Sequence, residues 1–273
     1  MFSCNSVLFV PGSRPDRFVK ARGAGAGLVI IDLEDAVGPA DKEEARGAAL
    51  AEAEGEAEGL AIRINAVTTR AGIADLHNLA GAKRLPEYLM VPMVEAAAEL
   101  AVIRGALDER CPPLLPLVET PRGLRHLLEI ARDSMVAAVM LGGADFSGEL
   151  GVELAWEPLL GVRHQFILAC AEAGKPAIDA PFVALDDDTA LEEECRRARA
   201  LGFAAKAAIH PRQVPVMERA FRPTEAEREE AAEALRVYRE AGGKAIRHRG
   251  KMLEAPLIKR FEAIVAKGEA EHA

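Results

Sequence analysis

Cysteine is sparse and unpaired: the four in 273 residues, Cys4, Cys111, Cys170 and Cys195, form no C-x-x-C motif. That argues against a disulfide framework and fits a reducing compartment. Long apolar runs are also missing. The start, Met1 to Asn5, has no basic segment and leads into only a short apolar stretch, Val7 to Val10. A signal peptide needs more, and no stretch reaches the ~20 residues of a membrane span, so the expected location is the cytoplasm, with no membrane partner. Positive charge is in the minority, 34 Lys and Arg against 43 Asp and Glu, for a net charge of −9 and a pI near 5.3. A general nucleic-acid surface is not expected from that balance, and an anionic ligand must find a local basic pocket. Neither a G-x-x-x-x-G-K-[ST] loop nor a G-x-G-x-x-G turn placed between strand and helix occurs, so nucleotide hydrolysis and dinucleotide binding are not indicated.

Half the residues are hydrophobic, enough for a large core. Eight short apolar runs recur, beginning near Val7, Leu28, Ala61, Tyr88, Leu114, Val136, Ala177 and Ala205. Each is followed by an amphipathic stretch, such as Lys42–Glu54, Ala96–Leu107 and Asp187–Leu201, long enough for a crossover helix. Several of these stretches open with proline near the first turn: Pro15, Pro39, Pro121, Pro158 and Pro211. Eight strand–helix units predict a closed (β/α)8 barrel over residues 1–222, with an open doubly wound sheet as the rival. Beyond it, Thr224-Glu225-Ala226-Glu227 is a capping-box pattern that opens a helix, and Gly242-Gly243 stops it. A basic turn through Arg249-Gly250-Lys251 and a last helix near Pro256 complete a C-terminal helical extension, 223–273. It is expected to pack on the barrel or on a neighbouring subunit.

In such barrels the reactive groups gather at the carboxyl ends of the strands. The second run leads into Asp32-Leu33-Glu34-Asp35, the fifth into Glu119-Thr120, the sixth into Gly142-Gly143-Ala144-Asp145, the seventh ends on Asp179 and the eighth on His210. Glu119 and Asp145 come from consecutive strands ~4.8 Å apart. Carboxylates that close repel unless one takes a proton or a cation intervenes. Oxygen ligands with no His/Cys set favour a hard ion, which points to Mg²⁺, with Gly142 and Gly143 allowing a sharp turn that aims Asp145. The plainer alternative makes both carboxylates helix caps.

Arg63 lies between Ile62 and Ile64, so it faces the barrel interior if the isoleucines face the helices. Its partner is either Asp32 or Glu34, or a substrate carboxylate gripped by the guanidinium fork. Arg14, Arg17, Lys20 and Arg22 follow Pro11-Gly12-Ser13 in the first unit and form either a phosphate site or a solvated basic face. Lys206 shares parity with Ala208 and His210; it is either a Schiff-base lysine facing inward or, the favoured reading, a structural ion pair. His210 reads as a cap or anchor.

At these residues the chain resembles the citrate lyase beta-subunit (CitE-like) family, within the HpcH/HpaI aldolase and malyl-CoA lyase superfamily. The matching blocks are VPGSRPDRF (10–18), IDLEDAV (31–37), RIN (63–65), VPMVE (91–95), LVETPRG (117–123), LGGADF (141–146), AIDAP (177–181), AIHPRQV (208–214) and GKMLEAP (250–256). The resemblance implies a TIM barrel, usually trimeric, that cleaves or forms a carbon–carbon bond in a hydroxyacyl thioester. A citryl thioester of coenzyme A or an acyl-carrier protein, yielding oxaloacetate and an acetyl thioester, is the leading example. Malyl-CoA and citramalyl-CoA lyases or a thioesterase-like relative are alternatives, as are an aldolase on free 2-oxo acids and a binding protein without turnover. It also implies that Glu119 and Asp145 hold Mg²⁺ and that Arg63 holds the substrate carboxylate. Ser13, Arg17 and Lys20 lie where coenzyme A phosphates are received, and Glu34 and Asp35 are the acidic pair lining the site. The family's tail motif is often G-x-M-x-D, its Asp acting as an acid/base in a neighbouring subunit's site. Here that position is Glu254, one methylene longer, which would protonate the enolate of the acetyl thioester.

Overall fold

A computed structural model describes residues 2–270 of the chain. Eight parallel strands close into a barrel: β1 (Ser6–Pro11), β2 (Leu28–Asp32), β3 (Leu60–Arg63), β4 (Tyr88–Val91), β5 (Leu114–Val118), β6 (Val139–Leu141), β7 (Ala177–Asp179) and β8 (Ala205–Ala208). Each pairs with the next in sequence, and β1 pairs with β8, so the rival open sheet is excluded. The strands are nearly continuous apolar runs because they are covered on both faces, by side chains inside the barrel and by helices outside.

The helices of the barrel are α1 (Phe18–Arg22), α2 (Lys42–Gly55), α3 (Arg70–Gly81), α4 (Ala97–Leu107), α5 (Pro121–Ala131), α6 (Gly143–Leu150), α7 (Leu160–Ala173), α8 (Asp188–Leu201) and α9 (Val214–Phe221). Local chemistry sets their ends. Thr120 and Asp187 cap α5 and α8 by accepting hydrogen bonds from Gly123 and Ala190 N–H groups, and Pro121 occupies the first turn of α5. Gly174 and Gly202 end α7 and α8 in the left-handed conformation that costs glycine least. The long interval between the sixth and seventh apolar runs holds two helices, α6 and α7, in one crossover. The sixth strand starts later than the sequence predicts: Val136 makes only a single bridge with Leu114, and regular pairing begins at Val139.

Side-chain alternation decides what the barrel interior contains. Val7, Ile30, Ala61, Met90, Leu117, Met140, Ile178, Ala205 and Ala207 form one buried cluster inside it. Asp32 and Arg63 share that parity at the carboxyl ends of β2 and β3. Lys206 does not. It stands between Ala205 and Ala207, so it turns outward into the strand–helix layer and not inward as its parity with Ala208 suggested.

The chain divides into two compact units, one up to Glu218 and one from Arg219 onward. In the second, α10 (Glu225–Glu240) opens with a capping box at Thr224 and Glu227. A hairpin of β9 (Ile246–His248) and β10 (Lys251–Leu253) follows, and then α11 (Ala255–Ala270). Leu253 and Ile258 bury against Ala234 and Leu235 of α10. The basic turn read from Arg249-Gly250-Lys251 is the hairpin's tip, where Arg249 and Gly250 both take positive φ. Among the described residues no helix is long and apolar enough to cross a membrane.

Candidate active site

The carboxyl ends of the strands surround a cavity of about 390 Å³ lined by Asp32, Asp35, Arg63, Glu119 and Asp145 among others. Glu119 follows the last residue of β5 and is only 2% exposed. It does not cap α5, a task that falls to Thr120. Its Oε1 accepts the backbone N–H of Met93 at 2.7 Å, from the loop after β4. Asp145 sits in the first turn of α6, beside β6, and lines the same cavity as Glu119. Burial pushes the Glu119 carboxyl up to about 9; the Met93 N–H opposes the shift, and the charges of Glu34 and Asp145 add to it. An acid held protonated by burial first, and by neighbouring carboxylates after it, is a group whose charge a cation would stabilise.

Gly142 makes this approach possible, though not by a sharp backbone turn. Its φ of −91° is open to any residue. Space is the constraint: a Cβ at Gly142 would stand 2.3 Å from Glu119 Cβ and 2.4 Å from its Oε2.

Arg63 is buried and heavily engaged. Its Nε and Nη2 donate to the two oxygens of Asp32 at 2.6 and 2.7 Å, a bidentate pair inside the barrel. Its Nη1 lies 2.9 Å from Glu34 and 3.4 Å from Asp35. The Glu34 contact is a charge contact without hydrogen-bond alignment, since Glu34 Oε2 has no aligned donor. The guanidinium also covers the Phe9 ring at 5.2 Å. Desolvation would lower the Arg63 pKa, but the bond to Asp32 and the acids around it outweigh that and raise it. Glu34 is pushed up to about 7, by burial first, against the pull of Arg63. Asp32, Glu34 and Arg63 thus form one unit, and Asp35 is its solvent-facing edge.

Lys42 holds that unit from below, and the sequence reading missed it. Its ammonium donates to the backbone carbonyls of Leu33 and Glu34 and to Asn65 Oδ1, each at 2.7 Å. A lysine in the first turn of a helix just after an acidic loop was the available signal. Met93 gave none, because its part is played by a backbone N–H.

The basic residues of the first unit separate into two groups. Arg14 pairs with Asp16 at 2.7 Å, and Arg22 pairs with Glu52 at 2.6 Å. Arg17 and Lys20 are exposed and line a second cavity with His210 and Pro211. This cavity shares Phe9, Pro11 and Ile209 with the first. Ser13 is half-buried in the turn between β1 and Pro15. His210 Nδ1 accepts the Arg212 N–H and caps the turn at Pro211–Gln213, an anchoring role as expected.

Lys206 is fully buried and donates to Asp179, Ala180 O and Glu194 at 2.6–2.7 Å. Desolvation alone would lower its pKa, but the two carboxylates overcome it and raise it. A Schiff base requires a neutral, accessible amine, so Lys206 is a structural ion pair. Arg163 completes the group, donating to Asp179 at 2.9 Å and stacking on Trp156 at 4.3 Å.

Residues 5–211 match the family model of HpcH/HpaI aldolase/citrate lyase. The chain belongs to that family. A citrate lyase subunit beta-like protein of Mycobacterium tuberculosis is 35% identical over 271 residues, covering 96% of this chain and 95% of the relative. The L-malyl-CoA/beta-methylmalyl-CoA lyase of Cereibacter sphaeroides is 31% identical over 96% of this chain and 93% of its own length. The crystal structure of CitE from M. tuberculosis in complex with magnesium, acetoacetate and coenzyme A superposes with a TM-score of 0.84 at 33% identity, over 96% of this chain and 97% of that one. The family model stops within the barrel, whereas these full-length relatives also span the extension. Glu254 lies there, exposed, between β10 and α11, and its carbonyl accepts the Leu257 N–H in the first turn of α11.

The donor set fits a hard divalent ion of this family. Among the described residues no three His, Cys, Asp or Glu groups converge enough to hold a metal alone. An ion held at Glu119 and Asp145 would take two oxygens from them and the rest from water or substrate, as suits Mg²⁺ better than zinc or calcium.

Proposed function

We propose that this chain is a Mg²⁺-dependent carbon–carbon lyase that cleaves, and in reverse forms, a hydroxyacyl thioester, giving a 2-oxo acid and an acetyl thioester. The observation that carries this reading is the convergence of Glu119, Asp145 and Arg63 on one cavity at the carboxyl ends of the strands. Glu119 and Asp145 would hold the ion. When bound, it supplies a Lewis acid for the oxygens of the hydroxy acid. Arg63, locked by Asp32 and Phe9, orients the acid's carboxylate through its remaining N–H groups. The hydroxyl proton passes to the Glu34/Asp35 pair, and a pKa near 7 for Glu34 suits exchange at neutral pH. As that C–O bond becomes a carbonyl, the carbon–carbon bond breaks and its electron pair moves onto the thioester as an enolate. An acid then protonates the enolate carbon; Glu254, contributed by a second copy in a homo-oligomer such as a trimer, is the group assigned to this step. The extension would then pack on the barrel or on a neighbouring subunit. Ser13, Arg17 and Lys20 receive the phosphates of coenzyme A or of an acyl-carrier protein's prosthetic arm, and the setting is the cytoplasm.

The test is formation of 2-oxo acid, read as its hydrazone, and of acetyl thioester from citryl, malyl and citramalyl thioesters, with free thiol assayed separately. Both products should appear together, only with Mg²⁺, and not in Asp145→Ala. Arg63→Lys keeps the charge but loses the fork, so 2-oxo acid affinity should fall while Mg²⁺ still binds. Thiol release without oxo acid would favour a thioesterase, and no release at all a binding protein.

A further inference from the structure

We propose that Asp75, on α3 and outside the cavity wall, positions the acidic loop of the active site through Asn65 and Lys42. The proposal rests on the lyase reading, in which Glu34 and Asp35 of that loop take the hydroxyl proton. Asp75 is 1% exposed, and both of its oxygens are engaged. Oδ1 accepts from Arg46 Nε of α2 at 2.7 Å. Oδ2 accepts from the Asn65 backbone N–H at 2.8 Å and from Asn65 Nδ2 at 2.7 Å. Asn65 in turn presents Oδ1 to the Lys42 ammonium, whose other two N–H groups go to Leu33 O and Glu34 O, each bond at 2.7 Å.

This relay has a fixed polarity. A carboxylate only accepts and an ammonium only donates, so the amide between them has one satisfactory orientation, Nδ2 toward Asp75 and Oδ1 toward Lys42. The charge on Asp75 therefore sets which atom Asn65 offers to Lys42. Gly72 allows the close fit: a Cβ there would stand 2.1 Å from Ala66 O, so the first turn of α3 lies directly against the backbone that carries Asn65. A bridge that served only to join α2 to α3 would be complete at the Arg46–Asp75 pair. This one runs on through two more residues and ends on the carbonyls at either side of the Glu34 Cα. From the opposite side, the Asp32 carboxylate accepts the N–H groups of Glu34 at 2.9 Å and Ala36 at 3.1 Å. Held by its carbonyls on one side and its amides on the other, the loop keeps Glu34 at 2.9 Å from Arg63 Nη1. The relay joins α2, α3 and the loops after β2 and β3, whereas Glu119 and Asp145 belong to the ends of β5 and β6.

The experiment uses full-length Asp75→Asn, Lys42→Met and the double variant, loaded with Mg²⁺ and kept well below their melting temperatures. Hydrogen exchange in residues 33–37 should quicken about tenfold or more, the factor that one lost hydrogen bond is worth, while exchange in β6 stays at the wild-type rate. Simple destabilisation would quicken both. On a thioester that the wild type cleaves, kcat should fall on the order of 10- to 10²-fold, as misplacing a reacting group does, while Mg²⁺ affinity by calorimetry stays unchanged. The double variant should be no slower than Lys42→Met, because both substitutions cut one relay. Asn65→Ala cuts its middle and leaves the Arg46–Asp75 pair intact, so it carries the same test if Asp75→Asn does not fold. Unchanged exchange in residues 33–37, an equal rise throughout the barrel, Mg²⁺ affinity lost in step with kcat, or multiplied losses in the double variant would overturn the proposal. So would a faster-exchanging loop with wild-type kcat, and the lyase reading would then stand without it. A wild-type chain that cleaves no thioester would overturn the lyase reading instead, and the exchange rates alone would decide whether Asp75 holds the loop.

Discussion

The backbone N–H of Met93 donates to Oε1 of Glu119 at 2.7 Å, and Met93 takes a φ of 55° to do so. Left-handed backbone costs a residue with a Cβ about 1–2 kcal/mol. The loop is pinned on both sides, by Pro92 after β4 and by the Val94 N–H bound to Leu117 O at 3.2 Å. Met93→Gly removes the strain but gains unfolded-state freedom worth about 0.5–1 kcal/mol, so stability should change by less than about 1 kcal/mol. The N–H survives, and the Mg²⁺-dependent rise in melting temperature should survive with it. Met93→Val puts a β-branched side chain in the same conformation and should lose about 2 kcal/mol or more by chemical denaturation.

Gly142→Ala tests the close approach to Glu119. With a Cβ clash near 2.3 Å against a buried, hydrogen-bonded carboxyl, either Glu119 or β6 must shift. Overpacking of this kind costs about 1–3 kcal/mol. The Mg²⁺-induced stabilisation should also disappear. An unchanged Mg²⁺ shift in this variant would show that Glu119 does not face the ion.

The pH dependence of metal binding follows from Glu119. Its carboxyl is raised from 4.5 to about 9, so between those values the metal-free native state holds a proton that the unfolded chain does not. Stability of the metal-free protein should therefore fall as pH rises through that window. Mg²⁺ must displace that proton, so its affinity should rise with pH and level off near 9. Calorimetry in buffers of different ionisation enthalpy should record proton release on binding at pH 7, and Asp145→Ala should abolish the binding itself.

The fold was largely legible because two-sided burial leaves a simple trace: eight apolar runs, each followed by a helix that opens with proline or a capping residue. The convergence of Glu119, Asp145 and Arg63 on one cavity was legible because each follows or ends an apolar run at the same barrel face. The site was not legible where contacts depend on the backbone or on exact parity. Met93 acts through its amide, Gly142 through missing volume, and Lys206 faces the helices because β8 enters the barrel on Ala205 and Ala207. The hairpin before Glu254 escaped notice because strands this short carry too few residues to show alternation.

Lys206→Met leaves Asp179 buried beside Arg163 alone. Breaking a buried pair by removing one partner costs about 3–5 kcal/mol. Lys206 and Arg163 hold the Asp179 pKa below the usual carboxylate range against the opposing effect of complete burial. The stability contributed by Asp179 is present above its ordinary pKa and lost as pH falls through the lowered one. The variant should lose that stability near neutral pH and show a smaller further loss in acid. Borohydride treatment of the wild-type protein with pyruvate should leave Lys206 unlabelled.

Glu254→Gln separates the two units chemically. Losing a general acid typically lowers the rate by ~10²–10⁴, and turnover should fall accordingly while Mg²⁺ and 2-oxo acid binding stay unchanged. Mixing this variant with Asp145→Ala under subunit exchange should restore part of the activity if Glu254 serves a neighbouring copy. Full activity in the single variant would remove Glu254 from the reaction. No recovery despite confirmed exchange would place it in its own subunit's site.

The four acids and single base around the main cavity also dictate a sequence of events. Until a dication arrives, the mouth presents a negative potential that repels any carboxylate approaching from bulk solvent. The metal must therefore enter first and the acid second, and on the way out the acid leaves before the metal. Kinetically, the ion behaves as an obligatory leading reactant: the apparent association rate of the acid should climb with Mg²⁺ occupancy, and high ionic strength should blunt that dependence.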